Sequence, residues 1–144
     1  MDAKTMWEQY VSQKPIGAQY DAWCFGDDAD TLASLIIEGV KTATASAYPL
    51  YEMEGEDLPR EGEYSVVLWK DGTAACIIKT TKVYAVPFNE VSPEQAYREG
   101  EGDRSLSYWQ TVHRDFFTKE MEEVGLTFTE DMKVVCEEFI KVYP

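Results

Sequence analysis

A lysine with a threonine three positions on, inside Gly39-Val40-Lys41-Thr42-Ala43-Thr44-Ala45-Ser46, is the pairing in this sequence best suited to chemistry. An amine taken out of water can lose its proton near neutral pH and then deprotonate a neighbouring hydroxyl, making it a nucleophile. In a regular strand residues 41 and 44 point to opposite faces, because their separation is odd. They converge if the chain is still turning at Lys41 or Thr42, and Gly39, at the end of an apolar helical run, provides for that turn. Thr42 and Ser46 add hydroxyls. Ala43, Ala45 and Ala47 keep the other strand face thin, as close packing or a close backbone approach requires. Backbone N–H groups near residues 40–44 are candidates to hold an oxyanion. A partner carboxylate has to come from elsewhere, and "AYREGEGDRS" (96–105) offers Glu99, Glu101 and Asp103 among glycines that allow a tight loop close to a ligand. Asp103 also suits the cap of the helix that follows. His113, the one histidine, is expected at a helix interface, one turn after Trp109.

The elements that must position these groups read as follows. Residues 3–13 place Met6, Trp7, Tyr10 and Val11 at helical spacing. Residues 20–26 are a short strand or extended lead-in. Asp27 or Asp28 caps a second helix with Leu32, Leu35, Ile36 and Ile37 toward the core. A strand of period two starts at Thr42 and stops at Pro49, and residues 51–63 read as an exposed acidic loop. Asp71-Gly72 marks a hairpin between "YSVVLWK" and "TAACIIKTTKVYAV", whose apolar content fits central strands of a curved sheet. Ser92, Pro93 and Gln95 form a capping box for a short helix ending near Arg98 or Glu99. A longer helix runs from about Ser105 to Val124 with Trp109, Val112, Phe116 and Met121 as its core stripe. A last strand alternates Val135, Glu137, Phe139 and Lys141 on one side. The sum is an α+β fold: a small, largely antiparallel β-barrel flanked by helices.

Composition narrows the partners. The 144 residues carry 13 basic and 27 acidic side chains, a formal net charge of −14. Nucleic-acid affinity comes largely from phosphate neutralisation, so this balance disfavours RNA and leaves a small neutral ligand unhindered. An RNA-binding reading would rest on a groove rim of Lys79 and Lys82 with Arg98 or Arg104. No run approaches a membrane span and no leader pattern is present, so the expectation is a cytoplasmic protein without a membrane partner. Cys24, Cys76 and Cys136 are expected as three buried, reduced thiols. There is no glycine-rich phosphate loop, no GxSxG elbow and no metal-spaced cluster, so no cofactor and no metal are expected. The sequence leaves the oligomeric state open.

"FGDDADTLASLIIEGVKTATAS", "YSVVLWKDGTAACIIKTTKVYAVPFNEV" and "AYREGEGDRSLSYWQTVHRDFF" together resemble an ASCH domain, over roughly residues 20–142. The glycine-x-lysine-x-x-threonine element of that family is present as Gly39, Lys41 and Thr44. The resemblance implies a single PUA-like domain over residues 1–144, with 1–19 as an N-terminal helical extension. It also implies a cleft where the lysine-threonine turn faces the acidic loop. Family members have been proposed to bind RNA, compact ones hydrolyse the acetyl amide of N4-acetylcytidine with a lysine, a threonine and a glutamate, and another has been linked to RNA cleavage, so an RNA-binding or RNA-processing module is the alternative the resemblance implies. Carried over, the hydrolase residues are Lys41, Thr44 and Glu99 or Glu101, with Thr42, Ser46, Arg98, Asp103 and Arg104 expected around a nucleoside-like ligand. A non-catalytic nucleoside or metabolite sensor would use the same cleft.

Overall fold

The computed structural model describes residues 1–12, 14 and 19–144. Five strands form one curled sheet in the order β1-β3-β4-β5-β2, a half-barrel. β1 (Asp21–Trp23) runs parallel to β3 (Tyr64–Leu68). β4 (Ala74–Pro87) is antiparallel to both β3 and β5 (Lys133–Tyr143), and β5 is antiparallel to β2 (Ala43–Ala47). The curl has a local cause. The β4·β5 register slips at Ile77/Ile78 and at Thr80/Lys82, and such bulges bend a strand and increase its twist. The hairpin expected at Asp71-Gly72 is present, with Gly72 at φ 88° and Trp69 N donating to Thr73 O at 2.8 Å.

Helices close the sheet. α1 (Ala3–Val11), capped by Asp2, lays Met6, Trp7 and Tyr10 on Val66 and Ile77. It ends two residues before the expected 13, and Gln13 lies outside the described residues. The described part of the N-terminal extension is therefore part of the core. α2 (Ala29–Ile37) starts at Asp28, whose side chain makes no capping bond, and it buries Ala33 and Ile36 fully, with Leu32, Leu35 and Ile37 only partly covered. α4 (Pro93–Glu99) and α5 (Leu106–Glu123) cover β2 and β5 through Ala47, Phe88, Trp109, Phe117 and Met121. Full burial of a side chain such as Phe117 contributes about 1.5–3 kcal/mol.

Four expectations need correction. Residues 51–63 are not all loop, because α3 (Tyr48–Glu54) forms with Pro49 in its first turn, where a missing N–H costs nothing. The buried stripe of α5 is Trp109, Phe117 and Met121, while Val112 and Phe116 turn toward a cleft. Ser105, not Asp103, caps α5: its hydroxyl accepts from Tyr108 N, and exposed Asp103 accepts from Ser105 N. Cys76 and Cys136 are buried, but Cys24 is exposed.

Candidate active site

The turn that sequence reasoning required at Lys41 exists. Gly39 leaves α2 at φ 80°, and the N–H groups of Val40 and Lys41 both donate to Leu35 O. Thr42 N then donates to Arg98 O at 2.7 Å, and β2 begins only at Ala43. Lys41 therefore precedes the regular strand and points inward, and it lines the same cleft as Thr44. These hydrogen bonds have a second consequence. The N–H groups of residues 40, 41 and 42 are already used, which removes most of the backbone donors expected to hold an oxyanion. Hydroxyl donors stand in the cleft instead, where Ser46 Oγ and Tyr51 OH lie 2.8 Å apart.

Lys41 is 1% exposed and sits among carboxylates. Its Nζ lies 3.1 Å from Glu101 Oε2 and 3.6 Å from Glu99 Oε1, and it donates to Glu99 O at 3.4 Å. Both glutamates proposed from sequence thus face the lysine, in different settings. Glu99, the last residue of α4, is fully buried, and its Oε2 accepts from Trp109 Nε1 at 2.6 Å and from Gln95 Nε2 at 3.2 Å. Its Oε1 faces His113 Nε2 at 3.4 Å. Glu101, one residue past Gly100 (φ 75°), keeps 19% of its side chain open to solvent.

His113 is held at both ring nitrogens. Nδ1 lies 2.9 Å from Trp109 O and so donates to it, while Nε2 faces the Glu99 carboxylate at 3.4 Å. Burial pulls the imidazole pKa down, but the hydrogen bond to Glu99, the charge of Glu99 and the Trp109 carbonyl outweigh it and leave it raised. Burial likewise pushes the Glu99 carboxyl up, and the charge of Lys41 with the bonds from His113 and Trp109 brings it below its ordinary value. One ligand atom each from Glu99, Glu101 and His113 lie within 4.8 Å of one another, a spacing that suits a cation. The Lys41 ammonium already supplies positive charge to both of these carboxylates.

The cleft holds about 930 Å³, within the range of small-molecule sites. Thr44, Ser46, Tyr51 and Glu137 line one side, Trp23 and Phe25 another, and Tyr108, Val112 and Phe116 of α5 a third. Four residues expected around the ligand lie elsewhere. Thr42, Arg98 and Arg104 line a separate shallow groove, because Thr42 is held by Arg98 O and the Arg104 guanidinium stacks 3.7 Å over Tyr97. Asp103 is spent on Ser105 N.

Sequence reasoning missed three contributors. Ser92 caps α4 as expected, accepting from Gln95 N at 3.1 Å, but the Gln95 side chain donates to Glu99 and to Thr44 O at 3.1 Å, tying the glutamate to the threonine strand. Tyr51 lay in the presumed loop. Glu137 stands directly opposite Thr44 in the β2·β5 ladder. A glutamate between Val135 and Phe139, both buried, was the available signal for it.

A curled sheet that presents a buried lysine and a threonine to a cleft of about 930 Å³, with an acidic loop across from them, defines an α+β domain of the PUA-like kind. The chain belongs to the ASCH domain family, whose model matches residues 21–143, a fold often linked to RNA binding. It is similar to the crystal structure of an ASCH domain from Lactobacillus crispatus JV V101, with 38% identity and a TM-score of 0.90 over 98% of this chain and 94% of that one. It is also similar to a protein from Enterococcus faecalis V583, with 35% identity and a TM-score of 0.91 over 97% of this chain and 87% of that one. No curated protein matches the chain.

Proposed function

We propose that this protein hydrolyses the amide of an N-acylated pyrimidine nucleoside such as N4-acetylcytidine. The observation that supports this most is Lys41 buried against Glu99 and Glu101 in the cleft that Thr44 also lines. Lys41 first gives up a proton through Glu101, and Thr44 Oγ then attacks the acyl carbon while the freed amine takes the hydroxyl proton. The resulting ammonium returns that proton to the departing nitrogen as the C–N bond breaks, leaving an acyl ester on Thr44. Water then attacks the ester, giving its proton to Lys41, which passes it to Thr44 Oγ as the ester C–O bond breaks, releasing the carboxylic acid and restoring the threonine hydroxyl and the neutral amine. Glu101, close to Lys41 and partly open to solvent, exchanges protons between Lys41 and the outside, while buried Glu99 fixes the lysine in place. Ser46 and Tyr51 supply hydroxyl donors on the Thr44 side of the cleft.

RNA binding is the second reading, supported by the family's fold. It is weakened by the rim itself, since Glu138 engages both Lys82 at 3.8 Å and Arg98 at 3.3 Å. The deciding experiment follows N4-acetylcytidine and its deacylated product by chromatography. The wild type should turn over, and Lys41→Ala and Thr44→Ala should each lose on the order of 100-fold or more in kcat. Turnover that survives both substitutions would refute the mechanism. A wild type that turns nothing over, yet retains short RNA at low salt, would favour the second reading.

A further inference from the structure

Glu137 is a carboxyl that the mechanism above leaves unused, and its surroundings are unusual for one. It sits directly opposite Thr44 in an antiparallel pair, where side chains on one face stand about 4.5–5.5 Å apart at Cβ. Both residues line the cleft. The next residue, Glu138, takes the nearby cations Lys82 and Arg98. Around Glu137 the cleft presents Tyr51 of α3, Glu56, Asp57 and Arg60 of the following loop, Glu63 at the start of β3, and the Lys41–Glu99–Glu101–His113 group. That balance is mostly acidic. Lys41 is already engaged by two other carboxylates, and Arg60 pairs with Asp57 at 3.2 Å.

Resting on the hydrolase reading, we propose that Glu137 is a specificity-determining residue that pairs with the amidine edge of an N-acylated 4-aminopyrimidine. One carboxyl oxygen donates O–H to ring N3 and the other accepts the exocyclic N–H, which leaves the acyl carbon on the side of Thr44. Such a pair needs a carboxyl that donates through one oxygen and accepts through the other, which only the protonated acid can do. Burial, with the charge of Glu63 adding to it, pushes the Glu137 pKa up to about 7, so the acid form is populated at neutral pH. Above that value the carboxylate would confront the N3 lone pair, and binding weakens. The substrate class follows: bases that offer an acceptor and an N–H side by side, next to the scissile amide.

The test compares the wild type, Glu137→Gln and Glu137→Ala on N4-acetylcytidine and on N4-acetyl-3-deazacytidine, whose ring carries C–H in place of N3. For the wild type KM should rise about fivefold from pH 7 to pH 8 and about fiftyfold from pH 7 to pH 9, in step with the falling acid fraction. kcat should change little, as expected for loss of binding shared by substrate and transition state. Glu137→Gln, whose carboxamide donates and accepts at every pH, should keep a low KM and lose its rise with pH. Glu137→Ala should bind poorly throughout and lose the wild type's preference for the N3-bearing compound. A Glu137→Gln profile that tracks the wild type, or a preference that survives in Glu137→Ala, would overturn the assignment. If no protein turns over either compound, the hydrolase reading fails by itself. The pairing is then judged by melting-temperature shifts with cytidine and 3-deazacytidine at pH 6: a larger shift for cytidine that vanishes in Glu137→Ala supports it, and equal shifts overturn it.

Discussion

At the scale of single residues the site is a balance of charges that a low-dielectric setting makes mutually dependent. His113 and Glu99 show it most directly. Because the folded pKa of His113 is raised above 6.5, its contribution to stability is full below pH 6.5 and disappears as pH climbs through the folded value. Glu99, held below 4.5, behaves oppositely: its contribution is full above pH 4.5 and lost as pH falls through the folded value. Urea denaturation of the wild type and His113→Gln across pH should therefore show a stability difference that favours the wild type near pH 6 and shrinks toward pH 9. The raised carboxyl of Glu137 is common to both proteins and cancels in that comparison. A difference that grows with pH would contradict a raised His113 pKa. Lys41, Thr44 and both glutamates were legible in the sequence because glycines bracket them. Gln95 and Glu137 were not, since each has an ordinary local role, as a helix-start residue and a strand residue. Only pairing across the fold gives them another.

Among the elements, the loop between α4 and α5 carries the most constraint. A Cβ on Gly100 would lie 2.7 Å from Val40 O and 2.9 Å from Val40 C, in the segment that leads into Lys41. Gly55, at φ 65° with no atom within 4 Å of where a Cβ would stand, shares the left-handed backbone without the crowding. Gly55→Ala should cost about 1 kcal/mol through conformation alone. Gly100→Ala should cost clearly more in thermal or urea unfolding and should depress kcat, because Glu101 and Lys41 move apart. Equal losses would mean that the approach to Val40 is soft. Long, strongly patterned elements such as β4, β5 and α5 could be read from the chain. The seven-residue α3 could not: Pro49 reads equally as the end of a strand or the start of a helix, and the acidic run beyond it has the composition of a loop. The Val112 and Phe116 positions of α5 satisfied a helical period, but both line the cleft, and Phe116 only edges onto the core.

The whole molecule adds a field that no single contact describes. With a formal net charge of −14, a nucleoside approaches freely while its 5′-monophosphate meets repulsion that salt screens. kcat/KM for the acylated nucleoside should exceed that for the monophosphate at low salt, and the gap should narrow as salt rises. A monophosphate favoured at low salt would instead reveal a local cationic entry. The half-barrel itself followed from apolar patterning and turn residues. The docking of α1 onto Val66 and Ile77 did not, because a stripe of Met6, Trp7 and Tyr10 names a buried face without naming its partner. The three thiols have a practical consequence. Burial pushes the thiol of Cys76 up to about 11 and that of Cys136 up to about 12, whereas Cys24 is exposed and lines the cleft. A maleimide dye offered to the folded protein would thus attach at one place on the rim, and its emission would register occupancy in real time without any engineered cysteine.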